Sequence, residues 1–258
     1  MAGGRAHSPG HAHLHVPGTS RIHRLAPAPK LIGLVAFVST VALTPRRDVA
    51  AFAVYGAVVV ALVVIARLPI RLVVSRLVVI VPFLVFAAIV PFIGTGEQVD
   101  VLGMSLSEDG LWAAFGVASK ALLGATAAIV FAATTPVPDV VRALSELRVP
   151  SVIVGIVAFM FRYLDLIVDQ LRRMRQAMVA RCHDPRWLWQ VGPIASSSGT
   201  LFVRSYERGE RVHQAMLARG FDGRMPDLDE RPTPPIDWPI ALIPAAIAVA
   251  ALLTVVLV

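Results

Sequence analysis

The chain has 258 residues, of which 56% are hydrophobic and 16% are charged, and its formal net charge is +7. A soluble globular domain carries charge on about a quarter of its residues. This composition therefore excludes an ordinary soluble domain and favours a protein that crosses a membrane several times. The single cysteine, Cys182, excludes an intrachain disulfide framework and any multi-cysteine metal site.

Residues 1–19 are rich in His, Gly and Pro and show neither helical nor strand periodicity, so we expect a disordered tail. His11, His13 and His15 alternate within this tail, and neutral imidazoles at such a spacing can chelate a divalent metal. A flexible tail or a tag remnant explains these residues equally well. We expect no other metal site and no cofactor.

Residues 20–135 are predicted to form an amino-terminal membrane domain of about four transmembrane helices. Its apolar segments are Leu31 to Leu43, Val49 to Ala66, Leu77 to Ile93 and Leu111 to Thr135. A helix needs about 20 apolar residues to span a bilayer, so the first segment is short unless it is extended from Pro27. Pro82 is expected to kink the third segment, and residues 94–110 are expected to form a loop.

Cations predict how these segments are oriented. The connection 67–76 carries three arginines and is expected to face the cytoplasm, whereas the connection 94–110 has no Lys or Arg and is expected to face outward. Arg46 and Arg47 then fall on the outer side, although cations are usually concentrated on the cytoplasmic side. Lys120 lies inside an apolar segment, and we favour a side chain that reaches toward the nearer interface over a functional intramembrane charge.

Residues 136–225 are predicted to form a cytoplasmic or interfacial region of helices. A short helix opens at Pro136, a longer one runs over 152–181 after a Ser151 cap, and another runs over about 197–219 after a serine cap. The apolar half of the 152–181 helix is too short to span, so we expect it to begin at the membrane and emerge from it. Residues 226–258 are predicted to be a linker and a final transmembrane helix.

Two of these helices close on similar signatures. One ends in Met178-Val179-Ala180-Arg181, and the other ends in Met216-Leu217-Ala218-Arg219-Gly220. The small Ala lets a helix end approach a partner, and Arg presents a planar fork to a carboxylate or a backbone carbonyl. An Arg that only interacts favourably with the negative end of the helix dipole would give the same pattern. The candidate partner-binding residues are Ala180, Arg181, Ala218, Arg219 and Gly220.

Catalysis by this chain is not expected. The only lysines, Lys30 and Lys120, do not stand in a phosphate-binding Gly-rich motif, and no metalloprotease or serine-hydrolase motif is present. An integral membrane enzyme remains an alternative with few polar groups to support it. A membrane anchor for nucleic acid is disfavoured, because acidic residues interleave with the basic ones and aromatics for base stacking are few.

With these features the chain resembles the transmembrane (T) component of energy-coupling factor transporters, and most closely the cobalt type, CbiQ. The run Ser20-x-x-His23-Arg24-Leu25-x-Pro27-x-x-Lys30 is similar to the family's amino-terminal run. Two Ala-Arg-Gly motifs on long cytoplasmic helices are the hallmark of that family. The second motif is intact here, whereas Cys182 replaces Gly in the first.

The resemblance implies an all-α polytopic membrane bundle with long cytoplasmic coupling helices, in the plasma membrane of a prokaryote. It further implies partners: two ABC-type ATPase subunits that the motif arginines contact, and a membrane substrate-binding subunit. The chain would be a non-catalytic scaffold for cobalt uptake. A scaffold for nickel or vitamin uptake is the alternative within transport.

Overall fold

The computed structural model describes residues 16, 18, 20–93, 98–101, 104–182, 192–223 and 234–257. The candidate metal-binding residues His11, His13 and His15, and most of the linker predicted after residue 225, lie outside the described residues. The elements in chain order are α1 (Arg21–Arg24), α2 (Pro27–Leu43), α3 (Val49–Ala66), α4 (Ile70–Leu77), a 3₁₀ turn (Val78–Ile80), α5 (Val81–Ile93), β1 (Gln98–Val101), β2 (Met104–Ser107), α6 (Glu108–Thr134), α7 (Val137–Glu146), α8 (Ser151–Ala180), α9 (Gly192–Leu217) and α10 (Asp237–Leu257).

The predicted fold class is confirmed, because the described chain is overwhelmingly helical and several of its helices can cross a membrane. Within the described ranges, five helical segments are long and apolar enough to do so, and α2 is a shorter apolar helix. The five segments are Val49–Ala66, Ile70–Phe92, Glu108–Thr134, Ser151–Ala180 and Asp237–Val255. The expectation that the 152–181 helix has too few apolar residues to span is therefore wrong on length and composition. Its placement at the membrane surface stays a prediction.

The connection 94–110 is not the simple loop that its polarity predicts. β1 and β2 pair antiparallel, with Gln98 opposite Ser107 and Val101 opposite Met104. α6 then begins at Glu108, where the Ser107 hydroxyl accepts a hydrogen bond from the Gly110 N–H at 3.3 Å. A serine cap and an acidic first turn stabilise a helix start. The helix therefore includes residues 108–110, which were predicted to belong to the loop.

Most of the connection predicted over 67–76 is also helical. α4 follows Pro69 directly and continues through the 3₁₀ turn into α5. Pro82 has no N–H to donate to the carbonyl four residues earlier, so the change to 3₁₀ geometry falls one turn before it. The kink expected at Pro82 stays a prediction.

The serine cap predicted for the second long helix is wrong. α9 begins at Gly192, and Ser196, Ser197 and Ser198 lie inside it. Ser198 Oγ donates to the Ile194 carbonyl at 3.0 Å, which satisfies a mid-helix hydroxyl without ending the helix. Ser151 is likewise the first helical residue of α8 and provides no side-chain cap, because Pro150 takes the cap position.

The chain divides into two compact units. One comprises the described residues within 13–143 and 231–258, which we call the membrane unit, and the other comprises the described residues within 144–230. The membrane unit brings α10 together with α2, α3 and α6, although α10 is the last helix in the chain. The four-part division predicted from sequence stays a prediction.

The core of the membrane unit is aromatic and lies where α2, α3, α6 and α10 meet. The Tyr55 ring is fully buried and meets Phe37 and Phe52 edge to face at centroid distances of 6.1 Å. Its hydroxyl is 2.9 Å from Thr44 Oγ1 and donates to the Ala248 carbonyl at 3.4 Å. Buried hydroxyls need such partners, so this pair links the end of α2 to α10.

Candidate partner-binding site

α8 changes character along its length. Its amino half is almost wholly apolar, and its carboxyl half carries Arg172, Arg173 and Arg175. Arg172 pairs with Asp169 one turn earlier at 3.6 Å, and Arg173 Nε donates to the Asp169 carbonyl at 3.4 Å. These basic side chains are exposed, so the helix presents a cationic surface before it reaches the first signature.

The first signature forms the end of α8. The Arg181 N–H donates to the Met178 carbonyl at 3.0 Å, and the Cys182 N–H donates to the Val179 carbonyl at 2.9 Å. Cys182 has a φ of 61°, which is the left-handed conformation that commonly closes a helix and favours glycine. The replacement of Gly by Cys in the first motif therefore leaves the helix ending intact.

The second signature also ends its helix at a left-handed residue. The Gly220 N–H donates to the Leu217 carbonyl and the Phe221 N–H to the Met216 carbonyl, both at 3.0 Å. Gly220 has a φ of 81°, and this pair of bonds is the Schellman arrangement. Its usual apolar contact is available here, because Met216 and Phe221 line one groove.

Both motif arginines are solvent-exposed. Among the described residues, neither the Arg181 nor the Arg219 guanidinium makes an ion pair or a hydrogen bond. In contrast, Arg211 on the same helix as the second motif pairs with Glu207 at 3.9 Å. All five predicted site residues are solvent-exposed: Ala180, Arg181, Ala218, Arg219 and Gly220.

An apolar groove between α8 and α9 was missed by sequence reasoning. It encloses about 490 Å³ and is walled by apolar residues of both helices. The rings of Phe159 and Tyr163 on α8 stack at 6.1 Å, and Val212 and Met216 on α9 face the same space. The two residues of each pair are four positions apart, which places them on one face of a helix. An apolar stripe at this spacing in a basic region was the sequence signal that could have identified the groove.

The run from Ser20 to Lys30 is structural in this unit. Ser20 Oγ lies 2.6 Å from His23 Nδ1, and His23 Nε2 lies 3.1 Å from the Val16 carbonyl oxygen. A tautomer with Nε2–H donating to Val16 leaves Nδ1 to accept from the serine hydroxyl. Val16 in turn donates to the Ala133 carbonyl at 3.0 Å. The run thereby fastens the chain before α2 to the end of α6.

Lys120 makes a hydrogen bond to the backbone of a neighbouring helix, and its reach toward the nearer interface stays a prediction. Its ammonium donates to the Ala42 carbonyl at 2.8 Å, in the last turn of α2, where a cation is well placed against the helix dipole. No group of three or more His, Cys, Asp or Glu that could hold a metal is found in the described ranges. The structure therefore adds no metal centre to the candidate residues of the tail.

Comparison with known families decides the class. Residues 18–228 match the family model CbiQ, described as cobalt transport protein. The chain belongs to the CbiQ family. The matched range holds both signature helices and the Ser20 to Lys30 run, and it ends before α10.

Individual relatives agree with this membership. The chain is 28% identical to the cobalt transport protein CbiQ of Rhodobacter capsulatus, over 69% of this chain and 73% of that protein. It is 23% identical to the energy-coupling factor transporter transmembrane protein EcfT of Thermotoga maritima, over 82% of this chain and 81% of that protein. It is 24% identical to an uncharacterized protein of Methanocaldococcus jannaschii, and it spans only 56% of that protein's length. This CbiQ-family chain is thus similar to transmembrane components of energy-coupling factor transporters.

Proposed function

We propose that this chain is the coupling subunit of an energy-coupling factor transporter, in which Arg181 and Arg219 contact two cytoplasmic ABC-type ATPases. The single observation that carries this proposal is the equivalence of the two helix ends. Each places an exposed arginine, free of ion pairs among the described residues, directly before a left-handed residue. Two matched contact points suit two copies of one kind of partner.

The chemistry of the two ends supports such a contact. An arginine fork donates two parallel hydrogen bonds to a carboxylate or to backbone carbonyls. An arginine that has no intramolecular pair to break gives up less on binding than one that is already paired. The small residues Ala180 and Ala218 beside the arginines let a groove close around each helix end.

ATP hydrolysis would lie on the partner chains. The sequence has no phosphate-binding Gly-rich motif, and its relatives are named as a cobalt transport protein and as transmembrane proteins of energy-coupling factor transporters. We assign this chain a non-catalytic role as a scaffold in the plasma membrane of a prokaryote, since these relatives come from bacteria and an archaeon.

The other partner would be a membrane subunit that binds the substrate. Exposed apolar side chains on α8 and α9, such as Ile156 and Phe202 at 62% and 71% exposure, favour contact with an apolar surface. We assign cobalt as the transported ion because the family model and the Rhodobacter relative both carry that name. Nickel or vitamin transport is the second candidate, since the EcfT relatives are named without cobalt.

Co-purification tests the coupling role. The tagged chain is produced with the ATPase and membrane-subunit genes of its own genome and purified in mild detergent. We expect the ATPases to co-elute with the wild type and to be lost with Arg181→Ala/Arg219→Ala. An arginine at an interface centre is typically worth about 2 kcal/mol, or about thirtyfold in affinity, for each contact.

The matched control is Arg172→Ala/Arg211→Ala, which removes the same charge from the same two helices at arginines that are already paired. This control should keep the ATPases. Retention by the motif variant, or equal loss from the control, would contradict the proposal. Cobalt, nickel and vitamin uptake by cells that carry the wild-type complex then distinguishes the substrates.

A further inference from the structure

A cavity in the membrane unit combines an apolar interior with two cations. It encloses about 370 Å³ and is lined by residues of α1, α2, α3, α6 and α10. Arg21 and Lys30 are its charged lining residues, and no acidic side chain lines it among the described residues. Binding pockets commonly have this composition, mostly apolar with a few convergent polar groups.

The cations lie at one end of the helical bundle. Lys30 is in the first turn of α2, and its ammonium reaches the carbonyl of Thr134, the last residue of α6, at 3.4 Å. Arg21 is in α1, directly before α2. The apolar lining extends inward from there to Phe37, which is about 10 Å further along α2 at 1.5 Å per residue. The cavity therefore runs from a charged end into the apolar layer.

The cavity also opens to the side. Ile65 on α3 and Ile240 and Ile243 on α10 line it, yet they are 49%, 45% and 52% exposed. These helices are among those that can span a membrane, so their exposed apolar faces lie where acyl chains would be. A ligand could enter this cavity laterally from the bilayer.

The charges around the cavity leave room for an anion. Asp139 and Asp237 are the carboxylates whose charge acts on Lys30, and Asp237 already accepts a hydrogen bond from the Ala26 N–H at 2.8 Å. Lys30 makes no ion pair at salt-bridge distance with a described residue, and its hydrogen bond to Thr134 is long. Arg21 is solvent-exposed and is likewise without an ion pair among the described residues.

From this juxtaposition we propose that the cavity binds one anionic phospholipid of the bilayer, with its phosphate between Arg21 and Lys30 and an acyl chain along Phe37 and Ile243. Predicted topology places this end at the cytoplasmic face, whose leaflet carries a negative potential in membranes with anionic lipids. The occupant is a lipid rather than a free anion, because the greater part of the lining is apolar.

The test is native mass spectrometry of the full-length chain, purified in mild detergent and titrated with dioleoyl phosphatidylglycerol or dioleoyl phosphatidylcholine. We expect a single phosphatidylglycerol adduct at a concentration about tenfold lower than for phosphatidylcholine. Arg21→Gln/Lys30→Gln should reduce phosphatidylglycerol to the phosphatidylcholine level. The matched control Arg24→Gln/Arg71→Gln removes two exposed cations that do not line the cavity, and it should keep the preference.

A second variant tests the contribution of the acyl chain independently of the charges. Ile65→Trp adds volume at the lateral opening while Arg21 and Lys30 remain, and it should weaken phosphatidylglycerol binding about tenfold. Equal binding of the two lipids by the wild type would overturn the proposal. Persistence of the preference in Arg21→Gln/Lys30→Gln, unchanged phosphatidylglycerol binding in Ile65→Trp, or displacement of the lipid by millimolar glycerol phosphate or inorganic phosphate would overturn it as well.

Discussion

Cys182 and Gly220 occupy equivalent positions in the structure, although only one of them is glycine. Each follows a motif arginine, each has a left-handed φ, at 61° and 81°, and each donates its N–H to the carbonyl three residues earlier. The two motifs thus end their helices with the same backbone geometry, although their sequences differ at this position. A side chain at Cys182 carries the steric cost of this conformation, which Gly220 avoids.

Restoring glycine in the first motif should therefore be stabilising. We expect Cys182→Gly to raise the thermal midpoint of the purified chain, since it relieves about 1 kcal/mol of left-handed strain. Gly220→Ala is the reverse test. No atom lies within 4 Å of a Cβ added there, so any loss of about 1 kcal/mol reports the backbone conformation alone. A lower midpoint for Cys182→Gly would show that the thiol makes a contact that matters.

The close approach of α2 and α10 gives a prediction about packing. A Cβ added at Gly33 would lie 2.5 Å from the Ala241 carbonyl oxygen, which is backbone and cannot rotate away. We expect Gly33→Ala to force the helices apart and to cost about 1–3 kcal/mol in unfolding free energy.

The control for this variant is Gly56→Ala on α3, where an added Cβ meets nothing within 4 Å. Alanine is the better helix former by about 1 kcal/mol, so this control should be neutral or stabilising. Thermal unfolding of both variants in one detergent is the measurement. A Gly33→Ala chain as stable as the wild type would mean that the two helices are not held at this distance.

Lys120 should be dispensable for transport. Its ammonium is bonded to the Ala42 carbonyl, which gives it a structural role at the end of α2. We expect Lys120→Met to lower stability by about 1 kcal/mol, the usual worth of such a hydrogen bond, and to leave metal uptake by the assembled transporter unchanged. Uptake in cells at matched protein levels is the measurement. Loss of uptake with retained assembly would indicate a functional intramembrane charge instead.

Sequence reasoning predicted the helices well where the apolar runs were long. Val49–Ala66 matches its predicted bounds, because a polar Asp48 precedes it and Arg67 ends it. Predictions based on side-chain chemistry at boundaries were weaker. Ser196 to Ser198 resembled a cap, but their hydroxyls bond within α9, and single residues do not reveal which carbonyl a serine will find.

The candidate site was predictable only as a list of residues. The repeated Ala-Arg pattern identified Arg181 and Arg219, yet the sequence could not show that Cys182 adopts the conformation of the missing glycine. The groove between α8 and α9, and the cavity beside Lys30, depend on which helices become neighbours. α10 packs against α2 although most of the sequence separates the two helices, and no local pattern in either helix specifies that pairing.

The end of the membrane unit that carries Arg46 and Arg47, which is predicted to lie outside, offers the sharpest test of topology. Arg46 and Arg47 run against the rule that cations stay inside, but both contact Asp109, at 3.5 and 3.0 Å. These side chains are more than half exposed, so the pairs contribute less than about 1 kcal/mol to stability. Their significance is that they place the start of α3 beside the start of α6. The other end of α3, 18 residues away, leads to the arginines after Ala66, about 27 Å distant at 1.5 Å per residue.

A membrane-impermeant maleimide can distinguish the two faces. In a Cys182→Ser background, Arg47→Cys should be labelled in intact cells, since its loop is predicted to lie outside. Arg71→Cys, in α4 beyond the opposite end of α3, should be labelled only after the membrane is permeabilised. Labelling in the reverse order would invert the orientation of the whole unit. It would also move the Arg21 and Lys30 cavity to the outer leaflet. Labelling of both cysteines as expected would establish that α3 crosses the membrane, because its length of about 27 Å matches the apolar thickness of a bilayer.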